Sequence, residues 1–257
     1  MGWVDSHCHL NFPQFDPDRL FPELERMGCQ GVLIPATTAQ SWESVLQLKT
    51  AYEKFVLAAF GLHPYFIEQH QASDLESLDQ YITLHKPCAL GEFGLDAMLD
   101  AELWQQQIFY FNQQLEIAKQ HKLPLVIHCR KAHDQLASLV KASGFRSGGF
   151  IHGFSGSLQQ AKRYLDLGLV LGLGGALTYD RAKAMHKMVA ALPDDAYTLE
   201  TDSPDMAPAF AKAEVNTPMN IPKIAEYIAR LRGQTLEKVF SDSTCNVERI
   251  LNLKLGA

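Results

Sequence analysis

Paired cysteines are missing from this chain. Cys8, Cys29, Cys88, Cys129 and Cys245 lie far apart, are odd in number and form no C-x-x-C unit. That argues against a disulfide framework and against a cysteine zinc site, and fits a reducing, cytoplasmic setting. Long apolar runs are also missing: none approaches the ~20 residues a membrane-spanning helix needs. The opening "MGWVDSHCHL" has no basic region followed by an apolar stretch, so no secretory leader is expected. Positive charge is scarce, with 23 Lys and Arg against 29 Asp and Glu and a net charge of −6. A protein that coats nucleic acid through a basic surface is thereby disfavoured; local grip on one or two phosphates is not. No G-x-G-x-x-G follows the first apolar run, which weakens a dinucleotide-binding reading. The late "GLGG" at Gly172 to Gly175 lacks that spacing and reads as close backbone approach at a strand end.

What is present is alternation. Short runs rich in Val, Ile, Leu and Phe recur through the 257 residues: "WVDSH", "GVLIPA", "FVLAAFGLH", "CALGEFG", "LPLVIH", "GGFIHGF", "LVLGLGG" and "AYTLETD". Amphipathic segments separate them. Ser73 with Glu76, and Ser157 with Gln160, have capping-box spacing. Between Ala101 and His121, Trp104, Ile108, Phe111, Leu115 and Ala118 form one helical stripe, expected to pack on a sheet. Eight βα units in a chain of this size predict an α/β fold, a (β/α)8 TIM barrel spanning residues 1–257 as a single domain. A monomer is expected. A doubly wound open sheet is the competing architecture.

The polar residues that end these runs carry the chemistry. The first run supplies His7 and His9, which share one strand face while Cys8 takes the other. Cys8 is therefore expected to be neither ligand nor nucleophile. Later runs end in His63, Glu92, His128, His152 and Asp202. In a barrel, strand C-termini converge on one mouth. Burying several imidazoles and carboxylates together there is costly without a cation. Six ligands, His7, His9, Glu92, His128, His152 and Asp202, exceed what one catalytic zinc takes and point to two divalent ions. Glu92 would bridge them, with His7, His9 and Asp202 on one side and His128 and His152 on the other. Mixed nitrogen and oxygen donors suit Zn, Mn, Co or Ni, and Mg less well.

These residues carry a family resemblance. "DSHCHL", "GLHP", "GEFGLD", "PLVIHCRKA", "HGFSGS", "LETDSP", "NTP" and "NVERIL" resemble, in order from about residue 4 to residue 252, the TatD family of metal-dependent deoxyribonucleases. Its YjjV-type bacterial branch is the nearest in pattern. That family belongs to the amidohydrolase superfamily of TIM barrels. The resemblance implies a hydrolase that trims DNA ends in the 3′-to-5′ direction, using water activated by two divalent ions, with Asp202 and Glu92 as catalytic carboxylates. It also implies that His63 and Arg130 face the scissile phosphate. Ser155, in the "FSGS" stretch before a helix, is a further candidate substrate contact. The chain departs from the commonest pattern at Gly153, at Ala97 and Met98, and at Val215, positions expected to lie where substrate is gripped.

Two rivals remain open at this level. One is an amidohydrolase acting on a small ester, lactone or amide; a carboxylated lysine often bridges metals in such enzymes, whereas Glu92 holds that strand position here. The other is a metal-bound barrel that binds a partner and does no chemistry, against which retention of Asp202 beside every ligand argues. The expected substrate is nucleic acid with accessible single-stranded ends, or else a small ester.

Overall fold

A computed structural model describes residues 2–255. Eight parallel strands alternate with helices: β1 (Trp3–Asp5), α1 (Pro17–Arg26), β2 (Cys29–Pro35), α2 (Trp42–Ala51), β3 (Val56–Phe60), α3 (Ala72–His85), β4 (Ala89–Asp96) and α4 (Trp104–His121) form the first half. The second half is β5 (Leu125–Arg130), α5 (His133–Ser143), β6 (Gly149–Ile151), α6 (Leu158–Asp166), β7 (Leu169–Leu173), α7 (Lys183–Ala191) and β8 (Tyr197–Leu199), followed by α8 (Ile221–Arg232) and α9 (Leu236–Leu251). Neighbours in sequence are neighbours in the sheet, from β1 round to β8. Each of the eight apolar runs overlaps one strand. The sheet closes where the Ser6 amide donates to the Leu199 carbonyl at 2.9 Å. The closure continues beyond the strands: the Asp202 amide donates to His7 O at 2.8 Å and the His9 amide to Ser203 O at 2.7 Å. The result is the (β/α)8 barrel the alternation predicts, and the open-sheet alternative falls away.

Strand alternation sorts the apolar side chains into two layers. Val4, Leu33, Leu57, Ala59, Ala89, Val126, Phe150 and Val170 fill the barrel interior, joined by Val247, Ile250 and Leu251 of α9. Their neighbours along each strand, such as Trp3, Val32, Ile34, Leu125, Ile127 and Leu171, pack outward against the helices. Burying a side chain the size of Phe150 contributes ~1.5–3 kcal/mol. The α4 stripe packs as expected, with Phe111, Leu115 and Ala118 buried and Trp104 and Ile108 half-buried against the sheet.

Helix starts are mixed. Ser157 and Gln160 form the expected reciprocal cap: Ser157 Oγ accepts the Gln160 amide at 3.2 Å, and Gln160 Oε1 accepts the Ser157 amide at 3.0 Å. Ser73 and Glu76 do not. The α3 helix begins two residues earlier, with Asp74 accepting the Gln71 amide at 2.9 Å, so Ser73 lies inside the first turn. The competing Gln71–Asp74 pair has the same i, i+3 spacing and satisfies the orphan amide first. Close backbone approach in "GLGG" occurs at Gly175, where a side chain would strike the Met206 carbonyl; at Gly172 a side chain would collide with the Glu200 carboxylate.

Candidate active site

The parallel register brings the polar strand ends to one mouth. Glu92 lies within β4, and Asp96, four residues on, shares its face. Gly94 pairs with His128 and Asp96 with Arg130 across β4 and β5. A side chain at Gly94 would strike the His128 backbone, so this glycine allows the two strands their close approach. His152 follows β6 directly, and His63 and Asp202 each stand three residues beyond their strands.

Glu92 is at the centre and buried. Its Oε2 lies 3.2 Å from His7 Nε2 and 3.4 Å from His9 Nε2. Its Oε1 lies 3.1 Å from His63 Nε2, 3.2 Å from His152 Nε2 and 3.5 Å from His128 Nδ1. One carboxylate thus turns each oxygen toward a different set of imidazoles. Asp202 Oδ1 joins the first set, 3.5 Å from His7 Nε2 and 3.6 Å from His9 Nε2. His7, His9 and Asp202 therefore have donor atoms close enough to share one ion, as do His7, Glu92 and His152, and His63, Glu92 and His128.

Hydrogen bonds behind the rings decide which nitrogens are bare. His9 Nδ1 donates to the Pro35 carbonyl at 3.2 Å, leaving Nε2 as a lone pair aimed at Glu92. His128 Nε2 donates to Asp96 Oδ2 at 3.2 Å, leaving Nδ1 bare on the same centre. Such outer partners are what fix a metal-binding imidazole. His63 is wired the opposite way. Its Nδ1 accepts the Tyr65 amide at 3.0 Å, so the proton of the neutral ring sits on Nε2 and is donated to Glu92. His63 is a donor in this cluster, although its distances alone would group it with the ligands.

The nitrogens turned toward Glu92 also face one another: His7 Nε2 and His9 Nε2 are 3.3 Å apart, and His128 Nδ1 and His152 Nε2 are 3.4 Å apart. Lone pairs at that separation, beside a carboxylate, need a cation between them. The electrostatics show the same demand for positive charge: without a cation in the cluster, the carboxylates draw protons onto the rings instead. Burial opposes charge on His9, yet hydrogen bonds to Asp202 and Glu92 lift it to about 9. Burial likewise opposes charge on His152, and the charges of Asp202 and Glu92 lift it to about 10. Burial alone would raise Glu92, but His63, His7 and His152 hold it well below the usual carboxylate range. The donor set and its electrostatics therefore fit divalent ions.

The cluster opens into a cavity of 610 Å³. Arg130 and Ser155 are exposed on its wall, alongside Phe12, Tyr65 and Phe66. Gly153 also lines it, with φ +57° and its amide on Glu200 Oε1 at 2.5 Å. Ala97, Met98 and Val215, expected where substrate is gripped, are not among the residues lining this cavity. Met98 and Val215 are well exposed, and the Ala97 and Met98 amides donate to the Arg130 carbonyl and to Asp96 Oδ1, so this segment borders the cavity wall without lining it.

Four acidic residues were missed in the sequence. Asp96 had a signal, since period-2 alternation from Glu92 puts it on the same face. Glu200 and Asp205 sit inside "LETDSPD" but stand out only once the loop is folded: Glu200 is buried beneath Gly153 and Gly172, and Asp205 lines the cavity. Asp5 is fully buried and accepts from the His7 amide, the Thr201 amide and Thr201 Oγ1; burial raises it to about 8.

Comparison with known proteins follows the same lines. The family model described as "TatD related DNase" matches residues 4–252. The uncharacterised metal-dependent hydrolase YjjV of Escherichia coli K12 is 34% identical over 255 residues, covering 98% of each chain. A protein of Erwinia amylovora named as the 3′-5′ ssDNA/RNA exonuclease TatD is 26% identical, covering 97% of this chain and 99% of its own. The crystal structure of E. coli YjjV, a TatD homologue, superposes with a TM-score of 0.92 at 35% identity over 98% of each chain. With the histidines gathered around Glu92 at the barrel mouth and the family match running over almost the whole chain, the chain belongs to the TatD-related family of metal-dependent hydrolases.

Proposed function

We propose that this enzyme hydrolyses phosphodiesters and trims free single-stranded ends of nucleic acid, with two divalent ions (Zn, Mn, Co, Ni or Mg) held by His7, His9, Glu92, His128, His152 and Asp202. The observation that carries this reading is the division of Glu92, whose two oxygens serve two separate sets of donors. Two ions so held would lower the pKa of a shared water and neutralise charge on a phosphoryl oxygen. Asp202 Oδ1, beside His7 and His9, is placed to take the proton of the attacking water. Arg130, on the exposed face of β5 two residues past His128, offers a guanidinium to a non-bridging oxygen. His63 lines the same cavity next to His128, its Nε2 proton held on Glu92, and Ser155 offers a hydroxyl on the cavity wall.

The charge balance supports action at ends. At −6, and with two divalent ions still negative, the chain cannot track a long duplex through its general field. A terminal phosphate reaching the cavity meets Arg130 locally. The kinship with a protein named as a single-strand exonuclease supports the same substrate class.

The test compares metal-reconstituted protein on end-labelled single strands and on closed circular duplex at matched salt. Stepwise trimming of the strand with an intact circle is expected. Efficient cutting of the circle with slow trimming overturns the end-directed reading. Glu92→Gln should lose ions from both sets of donors by elemental analysis, and full metal content in that variant would overturn the bridging role.

A further inference from the structure

Beside the cavity that holds the acidic cluster lies a second one, of 620 Å³, lined by Ala176, Tyr179, Arg181, Ala182, Met206 and Ala207. The two share Met206 as a common wall, so they adjoin at that side chain. We infer that this groove is a subsite for a further nucleotide of a single strand, with Arg181 on its phosphate. The inference rests on the nuclease reading and narrows its substrate to a strand longer than the scissile unit.

Three observations carry it. First, the charge differs between the cavities. Glu92, Asp96, Asp202 and Asp205 line the first, with Arg130 as its cation; no carboxylate lines the second, and Arg181 does. Second, Arg181 is held ready. Its guanidinium lies over the Tyr179 ring at 4.9 Å, exposed, and makes no ion pair among the described residues. Stacking leaves the N–H edges of the fork free for a planar, two-point contact with phosphate. Third, the wall is preorganised. Tyr179 Oη donates to the Ala207 carbonyl at 3.1 Å, and Thr178 Oγ1 accepts the Ala209 amide at 2.8 Å while donating to Gly175 O at 2.7 Å. The loop after β7 is thus pinned to the loop after β8, which also carries Asp202. A small ester in the first cavity has nothing to place against Arg181. A strand has both an anion and a base, and the Tyr179–Arg181 stack suits each.

The experiment uses metal-loaded enzyme with two substrates: a single-stranded oligonucleotide, and bis(p-nitrophenyl) phosphate, which is too short to span both cavities. Arg181→Ala should raise KM for the oligonucleotide about tenfold with kcat within about twofold, and reduce the slope of log KM against log salt by about 0.7. Its kinetics on bis(p-nitrophenyl) phosphate should be unchanged. Arg181→Glu should raise the oligonucleotide KM further, and Arg181→Lys should restore part of it. An unchanged oligonucleotide KM and salt slope in Arg181→Ala, or an equal loss on both substrates, overturns the subsite and leaves the nuclease reading standing. Wild-type enzyme that turns over bis(p-nitrophenyl) phosphate but no oligonucleotide overturns both.

Discussion

Asp96 shows how much of this site depends on residues that need not touch an ion. Its carboxylate accepts from His128 Nε2 at 3.2 Å and keeps Nδ1 bare toward Glu92. Burial raises Asp96, but the His128 hydrogen bond and an amide from Met98 outweigh it and hold the group below its usual range. Asp96→Asn removes the negative partner, and the amide can present its NH2 to the ring, favouring the other tautomer. Metal affinity should fall by about 10–100-fold, as for other outer partners of metal-binding histidines. Isothermal titration with Zn or Mn measures it; wild-type affinity in Asp96→Asn would show that His128 is oriented by other means.

At the scale of elements, α4 steadies the mouth from behind. Gln107 and Gln114, seven residues apart on one helical face and both buried, each clamp a backbone unit by two hydrogen bonds. Gln114 accepts the Leu62 amide at 2.8 Å and donates to its carbonyl at 3.1 Å; Gln107 does the same for Asp96 at 2.8 and 3.1 Å. Gln114→Leu leaves the Leu62 amide and carbonyl without these partners, next to His63. Stability should drop by about 2–3 kcal/mol, the cost of a buried unpaired donor and acceptor, read as a lower urea midpoint at unchanged slope. A change under about 0.5 kcal/mol would mean that water replaces the glutamine. The last helices have an electrostatic tie of another kind. Asp194, ahead of β8, meets Lys238 of α9 at 2.8 Å and Arg232 at the end of α8. The Lys238 and Gln234 hydrogen bonds, with Arg232, pull its carboxyl down to about 2. A depressed carboxylate stabilises the fold above its unfolded value near 3.8, and that contribution fades as pH falls toward 2. Asp194→Asn should therefore lower Tm modestly at pH 7, since the group is exposed and screened. The gap should hold to about pH 4 and narrow below it; a gap that widens on acidification would contradict the ion-pair account.

Across the whole molecule, the barrel decides which thiols chemistry can reach. Cys8, Cys29 and Cys129 are buried, Cys88 is half-buried and Cys245 on α9 is exposed. Burial pushes Cys29 and Cys88 to about 12, Cys129 to about 11, and Cys8 well above its ordinary value. Thiolate is the reactive form, so these four should resist labelling. At pH 8 a chromogenic disulfide reagent should titrate one thiol per folded chain, and all five after denaturation. Rapid labelling of a second thiol in the native protein would mean that the barrel opens locally.

The sequence by itself pointed to the barrel and left the open doubly wound sheet as its rival. Strands buried on both sides read as continuous apolar runs, and their alternation with amphipathic helices leaves few topologies open. It also named most of the residues gathered at the mouth, because the polar side chains supplied by six of the eight runs are visible without knowing their neighbours. The tertiary structure decided their roles. That Glu92 faces two sets of imidazoles depends on how β1, β4, β5 and β6 converge. That His63 donates a proton while His9 and His128 offer lone pairs depends on Tyr65, Pro35 and Asp96, contacts made within a turn or across strands. The departures from the family pattern divide for the same reason: Gly153 lines the cavity, whereas Ala97, Met98 and Val215 sit on loops outside its lining whose course no periodicity encodes. The groove at Arg181 is a surface made by two loops pinned together after β7 and β8. Periodicity reports burial one residue at a time; convergence, tautomer and shared walls arise between segments distant in the chain, so only the fold could settle them.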